Sequence, residues 1–387
     1  MTLKIKNGRL ITDRILEGVF IYLSEGKIQA ITSESLPFDE ELDAKGQYVS
    51  PGFIDIHTHG GGGACYTDGG TEAIKTSIRV HFEHGTTTIF PTTSSCSHAA
   101  LKNTIADLRK VMNDPGERLP HIPGIHLEGP YFSVKQCGAQ NTKYMTDPIP
   151  EEYQEIVESG ADVIRRWDFA PERKGSLEFC QYLISHGIIP SIAHSDATYQ
   201  DILPVYEAGC HLVTHLYSGM STITRNYGYR SLGVIESAYL LDEMDVEMIS
   251  DGCHMPPELL RLIYKSKGPD RICMITDSIR ATGMPEGIYT STNSEGDSII
   301  VEDGVAKVMD RSCFAGSVAT TDRLVRTCYK LAGIPLTDCI KMMTSTPARV
   351  MKLDKTGELK EGYAADIVIF DDDIQVSKVI LSGDTVG

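Results

Sequence analysis

The stretch "PGFIDIHTHGGGG", residues 51–63, places His57 and His59 two residues apart at the end of an apolar run. Alternate side chains of a strand share one side, so both imidazoles point the same way and could hold one metal ion. Taken alone, such a pair is as readily two polar residues at a strand end. Asp55 lies on the same face and suits either accepting a hydrogen bond from a ligand histidine or capping a turn. The glycines at 60–63 are not a phosphate loop, because no Gly-Lys-Ser/Thr follows. They suit a loop whose backbone passes close to a metal or substrate.

Other residues of the same chemistry recur at the ends of apolar runs. Glu128 follows "GIHL" and precedes Gly129-Pro130, His194 ends "IIPSIAH" and His215 ends "CHLVTH". Singly, each is more often a turn or core residue. Together they supply imidazole nitrogens and a carboxylate, the donor set of a catalytic metal site with a position left open for water. Zinc is the default ion, with iron or manganese also fitting. Asp277 ends "CMITD". A carboxylate beside an activated water can take its proton and pass it to a leaving group. The alternative, an N-cap for "SIRATG", is weakened because "ATG" starts a helix poorly. His81, His84, His98, His121, His126, His186 and His211 are read as structural.

Positioning these residues together calls for a particular architecture. Short apolar runs alternate with segments of helical spacing: "GFIDIHTH", "TTTIFPTT", "IPGIHLEGP", "VIRRWDFAPE", "GIIPSIAHSD", "CHLVTHLY", "VEMISDGCH" and "RICMITDS". A count near eight predicts a parallel (β/α)8 TIM-like barrel in an α/β fold, with an open doubly wound sheet as the competitor. The barrel is favoured because almost every run ends in a polar or ionisable residue: His57 and His59, Thr92, Glu128, Glu172, His194, His215, Asp251 with His254, and Asp277. In a parallel barrel these ends meet on one face. Both chain ends are β-rich and too small for separate cores. They are expected to join into one small β-sandwich domain, residues 1–50 plus 345–387, around a barrel of 51–344.

Composition narrows the function classes. The 387-residue chain is 41% hydrophobic and 23% charged, ordinary for a globular protein. A formal charge of −17 argues against nucleic-acid binding. The apolar runs are too short to span a bilayer, and the start "MTLKIKNGRL" lacks a signal-peptide pattern. A cytoplasmic location with no membrane partner is expected. The ten cysteines are scattered without a C-x-x-C pair, which suits reduced, buried side chains.

The ordered motifs "PGFIDIHTH", "HLEGPY", "AHSDAT", "THLY", "DGCH", "TDS", "AGS" and the closing "AADIVIFD" resemble the amidohydrolase superfamily. Within it they are most similar to the deacetylases of N-acetyl-hexosamine 6-phosphates, over nearly the whole chain. The resemblance implies metal-dependent release of acetate from N-acetylglucosamine 6-phosphate. It implies Glu128, His194 and His215 on the main metal, His57 and His59 on a second, and Asp277 as general base. One or two divalent ions per subunit are therefore expected. His254 would contact the sugar, and the loop after His215, contributed by a homodimer partner, would help hold the phosphate. Three departures from the family pattern concern the substrate. Gln140 in "GAQN" replaces a histidine that helps polarise the acetyl carbonyl, and an amide can still donate there. "HLYSGM" carries Ser218 and Gly219, and "TRNYGYRSLG" offers Arg225 and Arg230 as rival phosphate ligands. The alternative reading is another amidohydrolase, acting on a cyclic amide or an N-acyl amino acid.

Overall fold

The structure, a computed structural model, describes residues 1–114, 116–291 and 297–386. All eight apolar runs form strands: β1 (Phe53–Thr58), β2 (Thr86–Thr93), β3 (Ile125–Leu127), β4 (Ile164–Phe169), β5 (Ile189–Ile192), β6 (Leu212–Val213), β7 (Asp245–Ile249) and β8 (Ile272–Ile275). They lie side by side in chain order, every pair parallel. β8 returns to β1 through a parallel bridge between Thr58 and Ser278, and the Asp277 N–H donates to the His57 carbonyl at 2.9 Å. The sheet is thus a barrel, and the hydrogen bond that closes it joins two of the expected site residues.

The strands are buried on both faces, which is why they read as near-continuous apolar or β-branched runs. Every residue of "TTTIFPTT" is buried. Helices cover the outside with a 3.6-residue period. The helix Thr71–Glu83 buries Ile74, Ser77, Ile78 and His81, and His98–Met112 buries Leu101, Thr104, Ile105, Leu108 and Val111. Ser97 caps the second by accepting from the Ala100 N–H at 3.2 Å.

The two chain ends meet as expected. One six-stranded sheet joins Arg9–Ile11, Ile15–Leu16 and Tyr48–Pro51 to Ile367–Phe370, Val376–Leu381 and Asp384–Val386. A four-stranded sheet of Thr2–Lys6, Phe20–Ser24, Lys27–Thr32 and Glu40–Asp43 packs with it around Ile5, Leu10, Ile21, Val49, Ile367 and Ile380. Strand Tyr48–Pro51 runs directly into β1, and the Gly52 N–H donates to the Asp366 carbonyl at 2.8 Å. The terminal sheets therefore set where the histidine-bearing strand begins. A further sheet escaped the sequence reading: Gly287–Thr290, Ser298–Glu302, Val305–Val308 and Phe314–Gly316, inserted after β8. Among the described residues, no helix is long and apolar enough to cross a membrane.

Gly52 tests the junction. A Cβ there would lie 2.0 Å from Oγ1 of the buried Thr87. Gly52→Ala is expected to cost about 1–3 kcal/mol through overpacking, read as a lowered denaturation midpoint.

Candidate active site

The strand ends converge as their spacing predicted. Nε2 of His57 and Nε2 of His59 stand 3.3 Å apart. Glu128 lies between this pair and the remaining histidines. Its Oε1 is 3.7 Å from His57 Nε2, 3.2 Å from His194 Nε2 and 2.9 Å from His215 Nε2, and its Oε2 is 3.3 Å from His59 Nε2. Two donor sets result, His57–His59–Glu128 and Glu128–His194–His215, each with its ligand atoms within 4.8 Å of one another. Asp277 faces the first set, with Oδ1 at 3.4 Å from His57 Nε2 and 3.2 Å from His59 Nε2.

The far nitrogens of two rings test whether a cation fits. His57 Nδ1 lies 3.0 Å from Glu247 Oε2, and His194 Nδ1 lies 2.8 Å from the Gln136 carbonyl. Carboxylate and carbonyl oxygens only accept, so both Nδ1 atoms carry the proton and both Nε2 atoms present lone pairs inward. Two ligands on one tetrahedral zinc, each roughly 2.0–2.1 Å away, stand about 3.3 Å apart. The spacing and the lone pairs therefore suit a metal. The electrostatics agree. Burial disfavours the charged form of His59, yet the Asp277 and Glu128 carboxylates hold its pKa up at about 10. His215 is likewise buried, but Glu128 raises it to about 9. Burial acts against ionised Glu128 too, and His194, His215 and His59 still hold its carboxyl well below the usual range. Burial acts against ionised Asp277 as well, and the rings of His57 and His59, when charged, would hold it down at about 2. The pocket is built for positive charge.

Local backbone geometry aims these groups. His194, His215 and Asp277 have φ of +44°, +28° and +46°. Such conformations cost of order 1–3 kcal/mol each in a residue other than glycine and persist only where neighbours enforce them. The enforcing contacts are present. Asp277 is held by its N–H on His57 O and by the Ser317 N–H on its carbonyl at 3.1 Å, and the His194 carbonyl accepts from Ser133 N–H at 2.9 Å. The "AGS" segment thus pins Asp277 through the main chain. Among the described residues no helix begins at Asp277, so it caps none.

A cavity of about 260 Å3 opens onto the ligands. His59, Glu128, His194, His215 and Asp277 line it together with Gln140, Ser218, Gly219 and His254. His254 is oriented by Asp251, whose Oδ2 lies 2.8 Å from Nδ1, and its ring packs 4.9 Å from that of Phe314 in the inserted sheet. Gln140 accepts from the Ser95 N–H at 2.8 Å, which turns its NH2 onto Glu128 Oε2. One amide hydrogen is therefore committed to the carboxylate. Arg225 and Arg230 do not line the cavity. They face each other across an exposed hairpin, Thr224–Asn226 with Tyr229–Ser231. Glu172 also turns away, accepting from Ser195 Oγ at 2.8 Å and Asp196 N–H at 2.6 Å. A larger hollow of about 470 Å3, beside Asp338 and Lys341, contains no histidine.

Asp55 takes neither role offered above. It accepts from the His57 and Thr276 N–H groups, both at 3.3 Å, and from Thr276 Oγ1 at 2.5 Å. The imidazole's partner is instead Glu247, which the sequence reading missed together with Arg166 and Asp168. All three are fully buried. Arg166 donates to Glu247, to Thr214 Oγ1 at 2.6 Å and to Asp168 at 3.2 Å. β1, β4 and β7 are not neighbours in the sheet, so side chains meeting across them meet inside the barrel. The available signal was a charged residue in the middle of a strand buried on both faces.

This barrel and site define a metal-dependent hydrolase fold, and the amidohydrolase family profile matches residues 48–386: the chain belongs to the amidohydrolase family. It is 31% identical over 370 residues to the N-acetylglucosamine-6-phosphate deacetylase of Lysinibacillus sphaericus, covering 95% of this chain and 93% of that one. It is 28% identical to the N-acetylgalactosamine-6-phosphate deacetylase of Escherichia coli O157:H7, covering 99% of each. A mutant of the N-acetyl-D-glucosamine-6-phosphate deacetylase from Mycobacterium smegmatis, solved in complex with N-acetyl-D-glucosamine-6-phosphate, superposes with a TM-score of 0.89 at 30% identity, over 100% of this chain and 98% of that one.

Arg166 carries a prediction of its own. Arg166→Met would leave the Asp168 and Glu247 carboxylates buried without their cation. A loss of about 3–5 kcal/mol is expected, measured as a fall in the urea midpoint.

Proposed function

We propose that this protein is a metal-dependent deacetylase that converts N-acetylglucosamine 6-phosphate to glucosamine 6-phosphate and acetate. The observation carrying this reading is the placement of Asp277 3.2 Å from His59 Nε2, at the edge of a donor set that opens into the cavity. Glu128, His194 and His215 would hold the main ion and His57, His59 and Glu128 a second, zinc first, with iron or manganese suited to the same donors. When bound, the ion supplies Lewis-acid polarisation of the acetyl carbonyl and a more acidic water.

The chain's own residues do the rest. Asp277 Oδ1 takes the proton of the attacking water and returns it to the amine nitrogen as the C–N bond breaks. Its depressed pKa keeps it ionised but makes it a weaker base than a free carboxylate, so the proton it takes is passed on rather than held. The second N–H of Gln140 donates toward the acetyl oxygen. His254, held by Asp251, meets the sugar hydroxyls, and Ser218 and Gly219 form the wall beside them. In the homodimer proposed here, Arg225 and Arg230 reach the 6-phosphate from a second copy of the chain. Exposure of the hairpin, with Tyr227 97% accessible, fits this arrangement. The sugar phosphate is free in solution, and the protein works in the cytoplasm without nucleic acid or membrane.

Acetate release from N-acetylglucosamine 6-phosphate by the metal-loaded protein is the direct test. Asp277→Asn is expected to lower kcat by about 10²–10⁴-fold with metal still bound. The 6-phosphate should matter: the unphosphorylated sugar should lose most of kcat/KM. No acetate above the Asp277→Asn control sinks the assignment, and faster turnover of the galacto epimer reassigns the sugar. Metal analysis checks the ligand division. His57→Ala should remove one ion and Glu128→Gln should weaken both, whereas complete emptying by His57→Ala refutes the division.

A further inference from the structure

We infer that Glu247, clamped by Arg166, is a positioning residue: it fixes which nitrogen of His57 faces the metal and ties that imidazole to the main chain of His215. The inference rests on the two-metal reading and concerns a residue which that reading leaves without a role.

Glu247 sits in the middle of β7 and is fully buried. Its Oε2 stands 3.0 Å from His57 Nδ1 and accepts from the His215 backbone N–H at 3.2 Å. Its Oε1 accepts from Arg166 Nη1. An ionised carboxylate only accepts, so His57 Nδ1 must hold the proton and Nε2 must hold the lone pair. It is Nε2 that faces His59 and Glu128. One oxygen of Glu247 thus touches a residue of each donor set. Its carboxylate cannot drift, because Arg166 is itself anchored at three further points. Asp168 holds it from its own strand, Ser191 Oγ from β5 at 2.8 Å, and Thr214 Oγ1 from just beyond β6 at 2.6 Å.

If Glu247 served only to balance Arg166, the Oε1 contact would suffice. The use of Oε2 sets the two roles apart. Glutamine at this position has one oxygen and one NH2. With oxygen toward His57 and His215, the NH2 opposes the Arg166 donors. With NH2 toward His57, Nδ1 becomes the acceptor, the proton moves to Nε2 and the inward lone pair is lost. The buried charge nevertheless remains balanced, because Arg166 keeps Asp168, so the variant is expected to fold. Aspartate keeps the charge but withdraws the carboxylate by one methylene.

The test strips the full-length parent, E247Q and E247D with chelator and titrates each with Zn2+. Metal per subunit, the absorption spectrum of the Co2+-loaded protein and the thermal midpoint of the stripped protein are recorded. Both variants should weaken the second equivalent of Zn2+ roughly 10–100-fold and the first by less. The Co2+ spectrum should lose the component that the second equivalent adds in the parent. A second equivalent within about threefold of the parent in either variant overturns the inference. So does equal loss of both equivalents, or a variant that fails to fold, since either marks a general structural role. A parent that binds only one ion refutes the two-metal reading and the inference with it, and this is seen before any variant is measured.

Discussion

Four imidazoles converge on one carboxylate. Glu128 is about as buried as a side chain can be, at 1% accessible, and His57, His59, His194 and His215 all stand within 3.7 Å of it. An ionised carboxylate removed from water is sustained only by donors or cations supplied by the fold. The surroundings meet this requirement from several directions. Gln140 donates to Oε2 because the Ser95 N–H turns its amide that way. The Trp167 indole N–H reaches the Gly129 carbonyl at 2.8 Å, which fixes the turn immediately after the carboxylate. A cation seated among the nitrogens would complete that compensation.

Beneath the ligands lies a second polar level. Arg166, Asp168, Glu247, His126, Ser191 and Thr214 are all fully buried, where a barrel interior is usually packed with branched apolar residues. Well-packed hydrophobic side chains in their place would often be as stable or more so. What the polar level supplies is direction. His57 packs edge-on against His126 at 4.7 Å between ring centres, and Asp168 Oδ1 lies 2.9 Å from His126 Nε2. Desolvation, aided by the nearby Arg166, pushes His126 down to about 4. His126 is therefore a neutral spacer beside the His57 ring.

The outer elements act on the site through the main chain. The terminal sheets locate the start of β1, and the inserted sheet ends in Phe314–Gly316, which walls the cavity and leads into the Ser317 contact with Asp277. The strained φ of Asp277 is tolerated because the Ser317 and His57 pairings hold its backbone on both sides.

Much of this was legible in the sequence. The eight strands were marked by apolar runs, and the site by the polar residue ending each run, because parallel closure carries all those ends to one face. Strand direction alone thus brings His57, His59, Glu128, His194, His215 and Asp277 together. Glu172 is the exception, because its side chain turns toward Ser195 and Asp196. Asp55 shows the limit of periodicity. Expected to orient a ligand imidazole or cap a turn, it proved to accept from main chain and Thr276. Which residues arrive at the open end of the barrel follows from the order of the strands and the residue that ends each one. Which nitrogen of each imidazole points inward, which way the Gln140 amide turns, and that Glu247 and Arg166 stand behind His57 emerge only once the chain is folded. The His194 ring and the Gln140 amide are set from the segments after β3 and β2, by the Gln136 carbonyl and the Ser95 N–H, and the Glu247–Arg166 pairing behind His57 by contacts across the barrel between β1, β4 and β7. The stagger of closed strands sets these contacts, and no local spacing along the chain encodes it.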